Sequence, residues 1–498
     1  MNYMLNELKN FDNFTKTENG ATAHKSTRSK VYDMFAVGGA YRSRTDADKI
    51  LLFKEAYMEN AALALKCLFY LRDIRGGQGE RSFFRTCFSW LAVNDVETAR
   101  RNLVNISEYG RWDDLIYSCI NTSLEQEMIE LVIKQLTLDI ECKAPSLLAK
   151  WMPSINASSV STRVAARKFV NALQMTERQY RKMLAELRRR INVLEKLMSS
   201  NQWDKIEFDK IPSKAGMIYK NAFARRDIIA KKYEAFAKNT NTKVNAKDLY
   251  PYEIVAKVCS GLSHWYNNSR LSDTDRAMIN KYWANLPDYT HGSDKSMLCV
   301  IDTSGSMTGN AAAAPINVAI SLGLYAAERC KGPFANHYIS FASRPQLIET
   351  RGVDFVDKVQ RIYKTNLVDN TNLSAVFKLL KCMALHDARA AADMPDSIVI
   401  ISDMQIDEAQ GQWKTGVDAT ITTMERIHKE WSEAGLKMPK LVYWNVAART
   451  DANILDLSKN VSYVSGFSPV LFEQILAGKT GYELMVDKLM SKRYEAVK

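Results

Sequence analysis

The chain is poor in the residues that most often carry catalysis or cross-linking. Six histidines (His24, His264, His291, His337, His386 and His428) are scattered over 498 residues, and none stands near a Cys or Ser in a catalytic pattern. The eight cysteines (Cys67, Cys87, Cys119, Cys142, Cys259, Cys299, Cys330 and Cys382) include no C-x-x-C pair, and most fall in apolar helix or strand patterns. They read as reduced core thiols of an intracellular protein, which argues against a disulfide framework. No run approaches the roughly 18–20 apolar residues of a membrane span. The opening MNYMLNELKNFDNF mixes Glu, Lys, Asp and Asn, with no basic region followed by an apolar core, so no secretory signal is expected. The expectation is a cytoplasmic protein without a membrane partner.

What the chain does have is an uneven charge. The formal net charge is +12. Residues 1–290 hold 45 Lys/Arg against 33 Asp/Glu, whereas residues 291–498 hold 23 of each. Within the first part, residues 161–250 hold 21 basic and 9 acidic residues. The whole surplus therefore lies in one 90-residue stretch, which points to an anionic partner there, nucleic acid first. The candidate phosphate contacts are Arg163, Arg167, Lys168, Arg181, Lys182, Arg188, Arg189, Arg190, Lys214, Lys220, Arg225 and Arg226. The competing reading is a solvated helical face that happens to be basic. Trp112, Trp151, Tyr180 and Tyr219 are candidates to stack on bases, although core packing is the commoner fate of such residues.

The texture of the chain changes once. Residues 1–45 are polar and weakly patterned, and Thr22 to Lys30 reads as an exposed basic stretch. Residues 46–290 read as successive helices with apolar faces at helical spacing. Examples are Ala47 to Leu71, Asp95 to Ser107 capped by Asn94 or Asp95, Leu124 to Thr137, and Met175 to Met198 opened by Thr176. No strand is expected before about residue 295 and no exact repeat period emerges, so the expectation is an all-α array of antiparallel helix pairs, HEAT-like. Between the first helices, LRDIRGGQGERSFFR (Leu71 to Arg85) fits neither phosphate-loop pattern. It is expected to be a structural turn, with Arg72, Arg75 and Arg81 as possible anion contacts. Ile211 to Lys220 reads as a basic turn. Past LPDYTHGS (Leu286 to Ser293), strands at 296–301, 336–342, 346–350, 397–402, 440–446 and 461–465 alternate with helices near 311–330, 371–387 and 418–434. That alternation means a mostly parallel, doubly wound α/β sheet over 291–498, with a last helix from Tyr482 to Val497.

The sharpest local signal is SMLCVIDTSGSMTG, Ser296 to Gly309. A continuous apolar run, Met297 to Ile301, is the pattern of a strand buried on both faces. It breaks into Asp302-x-Ser304-x-Ser306, one carboxylate and two hydroxyls on a tight turn at a strand's carboxyl end, where α/β sheets bind ligands. These hard oxygen donors suit Mg²⁺ or another oxygen-loving divalent cation such as Mn²⁺. The alternative is a Ser/Gly-rich turn that caps a helix. Asp396 to Asp403 repeats the strand-then-carboxylate pattern, and Asn370-Thr371-Asn372 offers a third hydroxyl. In this order the three segments resemble the metal-ion-dependent adhesion site (MIDAS) of the von Willebrand factor A (vWA) fold. The resemblance implies one divalent ion held by Asp302, Ser304, Ser306, Thr371 and Asp403. Thr365 competes with Thr371, and Asp369 and Asp407 flank the site.

A basic helical array followed by such a domain resembles the TROVE-domain Ro family of RNA-binding proteins. RDIRGGQGER, YGRWDDL and SLLAKWMPS look like a divergent branch found in bacteria, phages and some eukaryotes. The resemblance implies a helical ring joined to a vWA domain, and binding of small non-coding or misfolded RNA without catalysis. Ring closure is left open by the sequence. A nuclease, or another protein lending a carboxylate to the metal, is the implied protein partner. The alternative function is a metal-dependent protein-interaction adaptor or scaffold without RNA. A hydrolase using the metal ranks last, because no general base or nucleophile pair accompanies Asp302 and Asp403.

Overall fold

The computed structural model describes Met4 and residues 12–191, 194–259, 271–309, 313–365, 371–407, 422–449 and 454–498. The chain divides into two compact units that interleave in sequence. One holds Met1–Cys67 and Leu249–Ser491, the other Leu68–Asp248 and Lys492–Lys498. Among the described residues no helix is long and apolar enough to cross a membrane.

The first unit is α/β. Apart from a small hairpin, β1 (Phe14–Lys16) with β2 (Thr22–His24), its strands are β3 (Met297–Asp302), β4 (His337–Phe341), β5 (Leu347–Glu349), β6 (Ser397–Ser402), β7 (Lys440–Asn445) and β8 (Val461–Ser465). They form one sheet in the order β5-β4-β3-β6-β7-β8. All pairings are parallel except β4 with β5. The strand order reverses between β3 and β6, so the crevice at their carboxyl ends is the topological switch point where such sheets place ligands. β3 and β6 are buried along their whole length, as unbroken apolar runs require of strands covered on both faces. The Pro315–Arg329 helix packs on β3. Gly323 makes this close approach possible, since a Cβ there would meet Ile301 Cδ1 at 2.2 Å.

Two features of this unit depart from the sequence expectations. The stretch expected to be exposed is so only in part: Lys25, Arg28 and Lys30 are exposed, whereas Ala23, His24 and the following residues 31–37 are buried. His24 is 3 % accessible, and Val31, Tyr32, Met34 and Phe35 are core residues of a Lys30–Val37 helix that packs on β8. Tyr32 Oη accepts from Tyr463 N at 2.7 Å, and Gly39 N donates to Ser465 Oγ at 3.0 Å. A Cβ on Gly39 would lie 2.8 Å from Ser465 O. Strands also exist before residue 295, because β1 and β2 pair antiparallel with Phe14 opposite His24. Three residues per strand are too few to show a period of two. The Pro251–Cys259 and Asp273–Ala284 helices pack with this unit too. Arg276 binds Asp354 with two bonds of 2.6 Å, and Trp283 stacks on Phe355 at 4.0 Å.

The second unit is helical. Its helices include Arg81–Asn94, Val96–Tyr109, Trp112–Cys119, Glu125–Glu141, Val160–Ala172, Glu177–Arg190, Ser213–Ala224 and Asp227–Lys238. Asp95 caps the second through Thr98 N at 3.1 Å, and Thr176 forms a capping box with Gln179. Ile211 to Lys220 proves to be mostly helix, with the break falling at Arg225 and Arg226. The final expected helix ends at Leu489, and Lys492–Tyr494 form a 3-10 turn that belongs to the helical unit.

Candidate metal centre

Each expected oxygen donor sits at the end of a strand or the start of a helix at the switch point. Asp302 closes β3 and is fully buried. Its Oδ1 accepts from Ser304 N at 2.9 Å, and its Oδ2 accepts from Ser402 Oγ at 2.5 Å. Ser304 and Ser306 hydroxyls lie 3.0 Å apart. Asp403 follows β6, is 1 % accessible, and accepts from Gln405 N through Oδ1 at 3.2 Å. Its Oδ2 is buried without a hydrogen-bond partner, 3.5 Å from Arg449 Nε. Thr371 Oγ1 donates to Gln405 O at 3.3 Å, and Asp407 N donates to Thr371 O at 3.2 Å, so the Thr371 and Asp403 loops are laced together. Asp369 and the Thr365 side chain lie outside the described residues.

Sequence reasoning missed three participants. Ser402 anchors the Asp302 carboxylate. Arg449 donates to Ser306 O as well as facing Asp403. The Thr17–Gly20 turn of the hairpin lies against the Asp403 loop, with Glu18 N donating to Gln405 Oε1 at 2.8 Å. Ser402 carried a faint signal, a hydroxyl directly before the strand-end carboxylate. The other two are remote in sequence and carried none.

Burial pushes the Asp302 carboxyl up to about 6, and the neighbouring Asp403 pushes the same way. Burial also raises Asp403, with Glu18 adding to the rise, while the Ser306 hydroxyl, the Gln405 amide and Arg449 oppose it. Two dry carboxylates side by side are unfavourable without a cation between them. The donor set is oxygen only, and an orphaned buried carboxylate oxygen is what a hard divalent ion would satisfy. Among the described residues no group of three or more His, Cys, Asp and Glu gathers to hold a metal, so a cation here would depend on the hydroxyls and on water.

The raised carboxyl has a consequence for the metal-free protein. Neutral Asp302 is favoured in the fold, so its stabilisation is complete below about pH 4 and is lost as pH rises through about 6. A shift of about two units corresponds to roughly 3 kcal/mol by pH 7. In EDTA, the wild type should therefore lose stability relative to Asp302→Asn between pH 4 and 7, read as the difference in Tm. Parallel pH profiles would show that Asp302 is solvated.

The basic candidates of the helical unit have varied surroundings. Arg167, Arg181, Lys182, Arg189, Lys214, Arg225 and Arg226 are exposed. Arg167 lies 3.4 Å from Glu177, Arg189 pairs with Glu186, Lys168 with Glu125, and Arg226 lies over the Trp203 ring. Lys220 is half-buried on its helix. Arg163 donates to the carbonyls of Ala157 and Ser158. Arg188 donates to Ala149 O and Met152 O, and Arg190 to Ile140 O and Cys142 O, so both brace the fold. Tyr180 is fully buried and donates to Pro153 O, as a core tyrosine does. Arg72 is not an available anion contact. It is 1 % accessible and binds Asp114 through Nε at 2.8 Å and Nη2 at 2.6 Å.

A family model described as Domain of unknown function (DUF7788) matches residues 296–496. Another, Domain of unknown function (DUF2828), matches residues 17–136 and 121–291. The chain is 30 % identical over 507 residues to the "Uncharacterized protein L728" of Acanthamoeba polyphaga mimivirus, covering 93 % of this chain and 85 % of that protein. Among solved structures it is similar to the Ro (RSR) protein of Deinococcus radiodurans, at 13 % identity and a TM-score of 0.39 over 92 % of each chain. That likeness is too slight to carry a function across. By its matches over more than half its length, the chain belongs to the DUF2828 family.

Proposed function

We propose that the protein is a non-enzymatic, Ro-like RNA-binding protein of the cytoplasm. In this reading the helical unit binds small non-coding or misfolded RNA, and the vWA-like unit holds Mg²⁺ or Mn²⁺ through Asp302, Ser304, Ser306, Thr371 and Asp403. The observation that carries it is a segregation. The entire positive surplus lies in residues 161–250, whereas the buried carboxylate pair lies in the balanced stretch 291–498. Arg and Lys would contact phosphates, giving salt-dependent affinity with limited sequence readout. A bound cation would supply an exchangeable coordination position for an acidic group of a protein partner, such as a nuclease.

The test must avoid Arg188 and Arg190, whose loss would disturb the fold. Reversing Arg181, Lys182 and Arg225 to Glu together should weaken binding of both single-stranded and structured RNA. The slope of log affinity against log salt should flatten by about two, measured by filter binding across a salt series. Unchanged affinity and slope would remove RNA from this surface and favour the metal-dependent adaptor.

A further inference from the structure

The phrases RDIRGGQGER, YGRWDDL and SLLAKWMPS meet within the helical unit. Arg111 stands at the start of the Trp112–Cys119 helix, and its N–H donates to Asp114 Oδ2 at 2.9 Å, the oxygen that Arg72 also binds. The short Leu148–Trp151 helix packs against the Trp112–Cys119 helix. Arg188 fixes this turn, with Nε donating to Ala149 O at 2.8 Å and Nη2 to Met152 O at 3.2 Å, and Tyr180 Oη donates to Pro153 O at 2.9 Å. Leu148, Ala149 and Met152 are buried, whereas Lys150 and Trp151 are only half-buried, as is Arg111.

The side chains so placed form a stack. The Arg111 guanidinium lies 4.4 Å from the centroid of the Trp151 ring, and Lys150 Nζ lies 5.7 Å from the same ring. All three residues carry donors and no side-chain acceptor. Among the described residues none of these three side chains has a hydrogen-bond acceptor or an ion pair. The nearby carboxylates are engaged elsewhere, Asp114 by Arg72 and Arg85, and Asp113 by Arg85 through one oxygen. Burial lowers the Arg111 guanidinium from its ordinary range and Arg72 adds to that, while Asp113 and Asp114 oppose it. A half-dry cation without its own counter-charge is completed by an anionic ligand. A bare phosphate would engage the charges but not the ring, whereas a nucleotide engages both. Unpaired bases stack on aromatic rings and on guanidinium planes, and the phosphate beside them suits Lys and Arg.

We propose that Arg111, Lys150 and Trp151 form a site for one unstacked nucleotide of single-stranded RNA, with its base on the Arg111–Trp151 stack and its phosphate on Lys150. The inference rests on the RNA reading of the helical unit and deepens it. It adds a base-stacking site outside the basic stretch 161–250 and gives the unit a preference for unpaired strands, because a duplex hides its base faces.

The experiment is fluorescence anisotropy on the full chain with a labelled oligouridine and a labelled blunt RNA duplex, for wild type, Trp151→Leu, Trp151→Phe and Lys150→Gln across a salt series. Trp151→Leu should weaken the single strand on the order of tenfold, equally at low and high salt since no charge is removed, and leave the duplex unchanged. Trp151→Phe should recover most of that loss. Lys150→Gln should flatten the single-strand slope of log affinity against log salt by about 0.7. Wild-type single-strand affinity in Trp151→Leu would overturn the proposal. So would a loss that falls equally on the duplex, because that is a disturbed fold and not a lost stack. Lys150→Gln leaves the core untouched, and an unchanged slope there would remove the phosphate contact and with it the nucleotide. Wild-type protein that binds neither RNA at low salt would instead overturn the RNA reading itself.

Discussion

Asp302→Ala should lower the affinity for Mn²⁺ and Mg²⁺ on the order of a hundredfold or more while leaving the metal-free fold nearly as stable as before. The two halves of that result have one cause. In the metal-free protein Asp302 accepts two hydrogen bonds, from Ser304 N and Ser402 Oγ, each contributing about 1–2 kcal/mol. The carboxyl stays at about 6 even with those bonds, so keeping it charged at pH 7 costs roughly 3 kcal/mol net. Alanine removes that cost but leaves the Ser402 hydroxyl and the Ser304 amide unpartnered in the core, at about 1–3 kcal/mol each. The terms offset, so alanine should move the metal-free Tm by only a few degrees. With a cation the balance changes, because the carboxylates now attract it. A hundredfold excess of ligand over Kd adds about 2.7 kcal/mol to a folded state that binds it. Wild type should therefore gain several degrees on adding Mg²⁺, and the variant none. A variant that still gains stability from Mg²⁺ would place the ion elsewhere. RNA affinity of the same variant should stay close to that of wild type.

The second large effect is expected in the helical unit, where Asp114→Ala should cost about 3–5 kcal/mol. Asp114 is fully buried and gathers two arginines. Arg72 binds it through Nε and Nη2, and Arg85 through Nε at 2.7 Å while also reaching Asp113 at 2.7 Å. Asp114 further accepts from Arg111 N at 2.9 Å. Its removal leaves the Arg72 guanidinium in the core with no counter-charge, and Arg72 Nη1 already lacks a partner. The penalty is thus mostly that of a stranded charge. Arg72→Met combined with Asp114→Leu removes both charges and should recover most of the loss. Urea unfolding followed by far-ultraviolet circular dichroism measures both variants. A cost below about 1 kcal/mol for Asp114→Ala would mean that water reaches Arg72.

These two sites differ in how far the sequence disclosed them. The oxygen donors were legible because a parallel strand covered on both faces is written as an apolar run, and Asp302 and Asp403 each end such a run. Strand order then brought the two runs side by side. Arg72 was misjudged because a cation next to Gly76 and Gly77 looks like a surface residue until Asp114 is placed against it. YGRWDDL and RDIRGGQGER are separate phrases in the sequence and one ion-pair cluster in the fold. The N-terminal segment was misjudged for a related reason. Its partners, Gln405, Ile454 and Tyr463, lie hundreds of residues away, and neither periodicity nor composition encodes such distances. Likewise Arg188 and Arg190 fall on a charged helix face in the sequence, yet both end on main-chain carbonyls.

The return of Lys492–Lys498 to the helical unit bears on the order in which the chain matures during synthesis. Arg493 grips Asp73, and the Tyr494 hydroxyl contacts Asp73 and Gly76 O at 3.0 and 3.2 Å. Asn102 receives Lys498 N at 3.0 Å. Residues 68–248 leave the ribosome early, but the segment that seals them follows the whole sheet. Until it arrives, Asp73 stands without its arginine and the glycine loop without its cover. A nascent chain stalled anywhere before residue 492 would expose this loop to proteases, so the helical unit carries a built-in mark of whether translation has reached past the sheet.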